Sequence, residues 1–310
     1  MTSNQRVAVG TVIGTAILAV IGIWVIAWVG ADAALKPDPP RSSLTLAAYA
    51  FTVEDVVFPA RDGARLAGWF VAAAPPAGEE PVWRPSPVII LVHAYGGTRN
   101  AMLPVADMLT GAGFHALIFD QRGTGHSVGA NVTFGTREPL DVLGALDYVL
   151  TRPDVDHDGV GVMGVGFGGS VAIMAAAEDD RIRAVAAEAP YASLDAGLQA
   201  AQADEVGLPW LLRPLATRIL VARLGGPLDD GAPLAAAARL GGRPVLLIAD
   251  EEEPANAGAQ AIYAALSGPR DLWAASRMTL GTGRTEIDRE YVARVLDFWR
   301  RVFDPVAAAR

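Results

Sequence analysis

Residues 153–170, PDVDHDGVGVMGVGFGGS, hold the pattern best suited to chemistry: an apolar run that ends in a cluster of glycines. Two kinds of site begin this way. As G-x-G-x-x-G, Gly164, Gly166 and Gly169 form a dinucleotide fingerprint, and Glu188 follows about 20 residues on, where that motif places a ribose-binding carboxylate. As G-x-S-x-G, Gly164 and Gly168 flank the sharp strand-to-helix turn of a nucleophile elbow, and Gly166 stands in the serine position. Covalent acyl transfer needs an oxygen, sulfur or carboxylate there, and glycine offers none.

The remaining reactive residues narrow the choice. There are four histidines, His93, His115, His126 and His157, and no cysteine. Thiol nucleophiles, disulfides and thiolate metal sites are thereby excluded, and the histidines are not spaced as a ligand set, so neither metal nor cofactor is expected. A formal net charge of −9 with scattered Lys and Arg argues against a nucleic-acid partner.

The elements that must position these residues follow from periodicity. With 310 residues, 52% of them apolar, the chain can bury a large core in one domain plus an accessory segment. VEDVVF, the turn at Arg61-Asp-Gly63 and RLAGWFVAA predict an antiparallel hairpin. Apolar runs then alternate with helical stretches: 87–93, a helix near 100–111, 115–120, a helix near 138–151, 160–165, a helix from about 168, and 184–189. The series closes with 244–250, a helix near 256–266, 271–276 and an amphipathic helix over 289–303. This is the pattern of an α/β fold with a mostly parallel sheet and helices on both faces. Between 191 and about 232 the alternation stops, and helical spacing predicts a small inserted cap whose apolar side chains mostly pack on the sheet. A dinucleotide fingerprint normally opens its own sheet, whereas four or five strands precede Gly164 here; the elbow is the better reading.

The amino-terminal region follows different rules. From Val7 to Val29 there is no charge, and at 1.5 Å per residue the run spans roughly 35 Å, enough to cross a bilayer. The expected organisation is an anchor over 1–30, a juxtamembrane linker over 31–49 containing KPDPPRSS, and a domain over 50–305 with the cap at about 191–232. Arg6 and the amino terminus on one flank, against cancelling Asp32, Lys36, Asp38 and Arg41 on the other, favour a single pass with a cytoplasmic amino terminus and an extracytoplasmic domain.

Over roughly residues 50–303 the chain resembles the α/β-hydrolase family, in particular its bacterial serine-aminopeptidase-like and esterase-like branch. The resemblance rests on VHAYGG (92–97), FDQRGTGHS (119–127, similar to D-x-R-G-x-G-x-S), the elbow approach at 153–170, AEAPYASL (187–194) and PVLLIADEEEP (244–254). It implies an oxyanion hole made by the backbone N–H groups of Tyr95 and Phe167. It places the family's serine on Gly166 and its acid on Glu253. The family's histidine falls on Leu280 by counting back from Tyr291, or on Arg284 by matching a G-x-G-x pattern. Neither side chain is a general base at neutral pH, and no histidine follows His157. Ser170 is expected to pack or to bond backbone, while His126 is the imidazole nearest the active face and a candidate binding residue. The expected function is a membrane-anchored, catalytically inactive module that binds a small apolar or acyl ligand or a protein partner. The alternative is an esterase- or peptidase-type hydrolase with unconventional catalytic residues.

Overall fold

The computed structural model describes residues 2–37, 44–74, 85–127, 131–226, 228, 232–250, 255–275 and 288–303. Eight strands form one sheet in the order β1-β2-β4-β3-β5-β6-β7-β8. Strands β1 (Val53–Pro59) and β2 (Arg65–Val71) make the expected hairpin, and β2 also pairs antiparallel with β4 (His115–Phe119). Strands β3 (Ser86–Val92), β5 (Val155–Val165), β6 (Ala184–Glu188), β7 (Val245–Asp250) and β8 (Arg270–Ala275) continue in parallel from β4. The parallel strands read as continuous apolar runs because helices cover both faces.

Alternate residues of each strand feed two cores. Val88, Ile90 and Val92 of β3 pack with α3 (Glu138–Val149), α4 (Phe167–Glu178), α7 (Ala232–Arg239) and α8 (Ala255–Ala265), while Ile89 and Leu91 pack with α2 (Leu103–Gly111) and α9 (Arg289–Phe303). Helix α9 shows how little freedom this leaves. Tyr291, Val295, Phe298 and Trp299, spaced four, seven and eight residues along, are all buried. The architecture is the α/β-hydrolase fold, in which the loops after β3, β4 and β5 leave the carboxyl ends of parallel strands.

The cap lies between β6 and β7 and contains α5 (Leu194–Ala200), a π turn at Ala201–Glu205 and α6 (Arg213–Leu224). The amino-terminal helix α1 (Ser3–Leu35) begins with a capping box between Thr2 and Gln5 and is long and apolar enough to cross a membrane or to serve as a signal sequence. It does not stop at residue 30. Ala27, Gly30, Ala31, Ala34 and Leu35, at helical spacing, form a buried stripe that continues the helix into the stretch read from sequence as linker. The cause is packing. Ala and Leu sustain the helix, and the small side chains let it lie against α6 and the π turn, where Leu208 fills the space beside Gly30. Arg223 of α6 locks this contact, pairing with Asp32 at 2.8 Å and lying 4.1 Å over the Trp28 ring.

Candidate functional site: a nucleophile elbow without a nucleophile

The carboxyl end of β5 turns sharply into α4 at Gly166, whose φ of 56° and ψ of −122° are accessible to glycine and costly for other residues. The turn is tight because backbone segments touch across it. A Cβ on Gly164 would collide with the Gly168 carbonyl, and one on Gly168 with the carbonyls of Val92 and His93. A hydrogen bond from Gly166 N–H to the Glu188 carbonyl, 2.7 Å, fixes the tip to β6. A Cβ on Gly166, by contrast, would meet only Ala94 Cβ at 3.6 Å. The elbow thus presents an open position above the sheet, at the first turn of a helix whose leading N–H groups point toward it. Gly166 itself brings no side-chain atom to that position.

The loop after β3 lies beside this tip, so the structure brings Ala94, Tyr95, Gly166 and Phe167 together. Tyr95 stacks on Phe134 with centroids 5.2 Å apart, and Phe134 meets Phe167 edge-on at 6.1 Å. Phe134 is fully buried at a φ of 48°, a strained conformation for a bulky residue. The buried Glu138 carboxylate holds its loop by accepting from the N–H groups of Thr133 and Gly135 and from the Thr133 hydroxyl. The end of α1 closes the roof: Tyr95 Oη–H donates to the Ala34 carbonyl at 2.7 Å, and Val132 N–H to the Leu35 carbonyl at 3.0 Å. Beneath lies a cavity of about 10 Å³ lined by His93, Gln121, Thr124 and Phe167 among others, space for about one water. Gln121 Oε1, buried and without a partner among the described residues, is where such a water would bond.

All four histidines are described, and each is accounted for. His93 is buried directly behind the loop. Its Nδ1–H donates to the Ala94 carbonyl at 2.7 Å and its Nε2 accepts from Gln121 N–H at 3.1 Å, so neither nitrogen is free, and burial holds its pKa below the usual imidazole value. His115 lies at the opposite, amino end of β4, bonded to Ala73 N–H and the Asp154 carbonyl. His157 is on the same far end, against the Arg152 carbonyl. His126 is exposed, with Nδ1 3.3 Å from Arg99 Nη2 and 3.7 Å from Asp120. A guanidinium only donates, so in the Arg99 contact Nδ1 is the acceptor and its lone pair is engaged there. Ser170 is fully buried, donating to the Tyr191 carbonyl and accepting from Tyr191 N–H, both at 2.8 Å. Its hydroxyl is committed to backbone. Glu253, Leu280 and Arg284 lie outside the described residues. Glu188, the carboxylate of the dinucleotide reading, is buried and accepts from Tyr291 Oη–H at 2.9 Å.

The turn after β4 is built from side chains. Asp120 accepts from the N–H groups of Arg99 and His126 at 2.7 and 2.9 Å. Arg122, 2% exposed, forks onto Asp141 and Asp62 with contacts of 2.5 to 3.0 Å. Burial pushes the Asp141 carboxyl up to about 7 against the opposing pull of Arg122. Ser127 Oγ–H donates to the Asp120 carbonyl and accepts from Ala67 N–H, tying the turn to β2.

The family model described as X-Pro dipeptidyl-peptidase (S15 family) matches residues 62–239, more than half of the chain, and this span contains the elbow, the β4 turn and the cap. The chain belongs to that family. Among curated relatives, the uncharacterized protein YfhR of Escherichia coli K12 is 32% identical over 145 residues, covering 46% of this chain and 49% of that protein. An uncharacterized 31.7 kDa protein from the traX-finO intergenic region of Escherichia coli is 32% identical over 111 residues, covering 35% of this chain and 39% of its own length. The chain thus spans about half or less of the length of these relatives. An esterase of Pyrococcus furiosus superposes with a TM-score of 0.68 at 23% identity, covering 86% of this chain and 98% of the esterase, a likeness of fold.

Two groups at the site were not legible beforehand. Phe134 sits in NVTFGTRE, where nothing in composition or spacing separates a strained roof residue from an ordinary loop aromatic. The family resemblance points to the N–H of Tyr95, whereas its hydroxyl bond to Ala34 joins residues 61 apart and has no sequence signal.

Proposed function

We propose that this S15-family chain is a membrane-anchored α/β-hydrolase-fold module without serine-hydrolase chemistry, which binds a small apolar or acyl ligand or a protein partner beneath its cap. One observation carries the reading. The elbow keeps its backbone geometry at Gly166 yet offers no atom to attack a carbonyl. The committed bonding of His93, His115 and Ser170 and the donor-bound Nδ1 of His126 support it further. The reading assigns the holding of a carbonyl or carboxylate oxygen to backbone, to the Phe167 N–H at the start of α4 and to the Tyr95 N–H in the adjoining loop. A ligand of acyl size needs the Tyr95–Phe134 roof or the cap to shift, since the cavity admits about one water. On this reading α1 passes the bilayer once, with its amino terminus cytoplasmic and the domain outside.

The test is a broad ester panel run with a fluorophosphonate probe on the full chain in detergent. The expected result is neither turnover above a denatured control nor labelling. Labelling of the unaltered chain would overturn the reading and make it a hydrolase with relocated groups. Gly166→Ser alone is expected to remain inert, because a hydroxyl without a base keeps its proton. Gly166→Ser with Leu280→His is expected to gain labelling if position 280 holds the family's base place.

A further inference from the structure

Outside α1, the two most exposed large apolar side chains among the described residues are Trp210 and Leu211, 75% and 68% exposed. They occupy the centre of a turn closed by Leu212 N–H on the Pro209 carbonyl at 2.8 Å. Two residues before Trp210, Leu208 is buried against Gly30 of α1, where a Cβ would come within 2.8 Å of Leu208 Cδ1. The turn therefore emerges beside α1 at the level where the exposed apolar surface of that helix gives way to its buried stripe. Residues 207–212, GLPWLL, carry no charge. Helix α6, which follows, holds Arg213, Arg218 and Arg223 and no acid, in a chain of net charge −9. Arg223 is occupied by Asp32 and Trp28 and Arg213 bonds the Leu208 carbonyl, while Arg218 is exposed.

We propose that a lipid bilayer surface receives this turn: Trp210 and Leu211 insert at the boundary between headgroups and acyl chains beside α1, with Arg218 toward anionic headgroups. The inference rests on the anchored reading of α1. Tryptophan suits that depth because its ring is apolar and its N–H finds polar partners there, and nearby arginines are attracted to an anionic surface. The docked end of α1 supplies continuity with the lipid, since it holds the turn next to the segment that would enter the membrane. The domain then rests on the bilayer at two points, and the cap faces a reservoir of apolar molecules.

The natural chain has no cysteine, so single-cysteine variants report without background. Leu211→Cys, Ile17→Cys and Val57→Cys, all exposed positions, are spin-labelled in the full chain and placed one per nanodisc containing phosphatidylglycerol. Collisions with oxygen, which concentrates in lipid, are compared with collisions with a water-soluble nickel chelate. The proposal expects the Leu211 label to favour oxygen at shallow depth, the Ile17 label to favour it more strongly, and the Val57 label to favour nickel. A Leu211 label in water with the Ile17 label in lipid would overturn the cap contact and leave the anchor standing. An Ile17 label in water would remove the anchored reading and this proposal with it. Trp210→Cys repeats the measurement at the neighbouring position of the same turn, so one badly tolerated substitution does not decide the outcome.

Discussion

The turns after β4 and β5 flank the loop after β3 at the carboxyl edge of the sheet, and they are held by different means. The β4 turn depends on side chains. Asp120, Arg122 and Ser127 each bond backbone or a buried partner, and Gly125 leaves no room for a Cβ against the Asp120 carboxylate. The β5 turn depends on backbone. Gly164 and Gly168 permit main chain to touch main chain, and the one position with open space before it, Gly166, is the one whose side chain would have had only a chemical task. Both turns keep what the fold requires. A side chain at Gly166 would have open space before it, so the geometry of this turn is by itself evidence of architecture and not of catalysis.

The sharpest break in this comparison should come from the side-chain turn. Arg122→Ala takes the guanidinium from the fully buried Asp141 and from Asp62, and is expected to cost about 3–5 kcal/mol, read as a lowered denaturation midpoint in urea. On the backbone turn, Gly168→Ala forces a methyl against two carbonyls and should cost about 3 kcal/mol, the upper end of what overpacking usually takes. Gly166→Ser has room for its Cβ and meets only the unfavourable φ, so about 1–2 kcal/mol is expected in the same measurement. Should Gly166→Ser cost as much as Gly168→Ala, the tip would carry structural weight and the contrast drawn above would fail.

The smallest effect concerns acid, at a surface cluster built on Arg61, next in sequence to the Asp62 that pairs with Arg122. Hydrogen bonds from Arg61 hold the Asp147 carboxyl below its usual range, and those from Arg181 do the same for Asp179. Carboxyls depressed in the folded state add stability above their unfolded pKa of about 3.9, and that contribution is lost as pH falls through the lower folded values. Thermal midpoints should therefore drop as pH falls from about 5 toward 2, and Arg181→Gln should flatten the drop slightly. An unchanged slope in Arg181→Gln would show that screening already cancels these pairs.

Much of this arrangement was legible in the sequence. The strand runs gave the hairpin and the parallel sheet, and the 3.6-residue spacing gave α9 at its observed limits, because burial on one or both faces leaves a periodic trace. The elbow was legible because its glycines are demanded by close backbone contact. The inward continuation of α1 was not, since Ala27, Gly30, Ala31 and Ala34 suit a lipid-facing helix and a packed one equally well, and hydropathy does not distinguish the two environments. The bonding of His93 was hidden for another reason: whether a histidine is free or locked depends on partners such as Gln121, 28 residues away.

The contact between α1 and the domain also determines how the molecule comes apart. A helix ends with carbonyls that have no partner within the helix, and those of Ala34 and Leu35 are taken up by Tyr95 and Val132, donors that belong to the domain. The final turn of α1 thus borrows its cap. When the loops after β3 and before α3 melt, that turn loses its partners and frays with them. Unfolding of the sheet and unwinding of the helix end are then one cooperative event, and the loss of amide protection at Ala34 and Leu35 would keep time with the loss of the core.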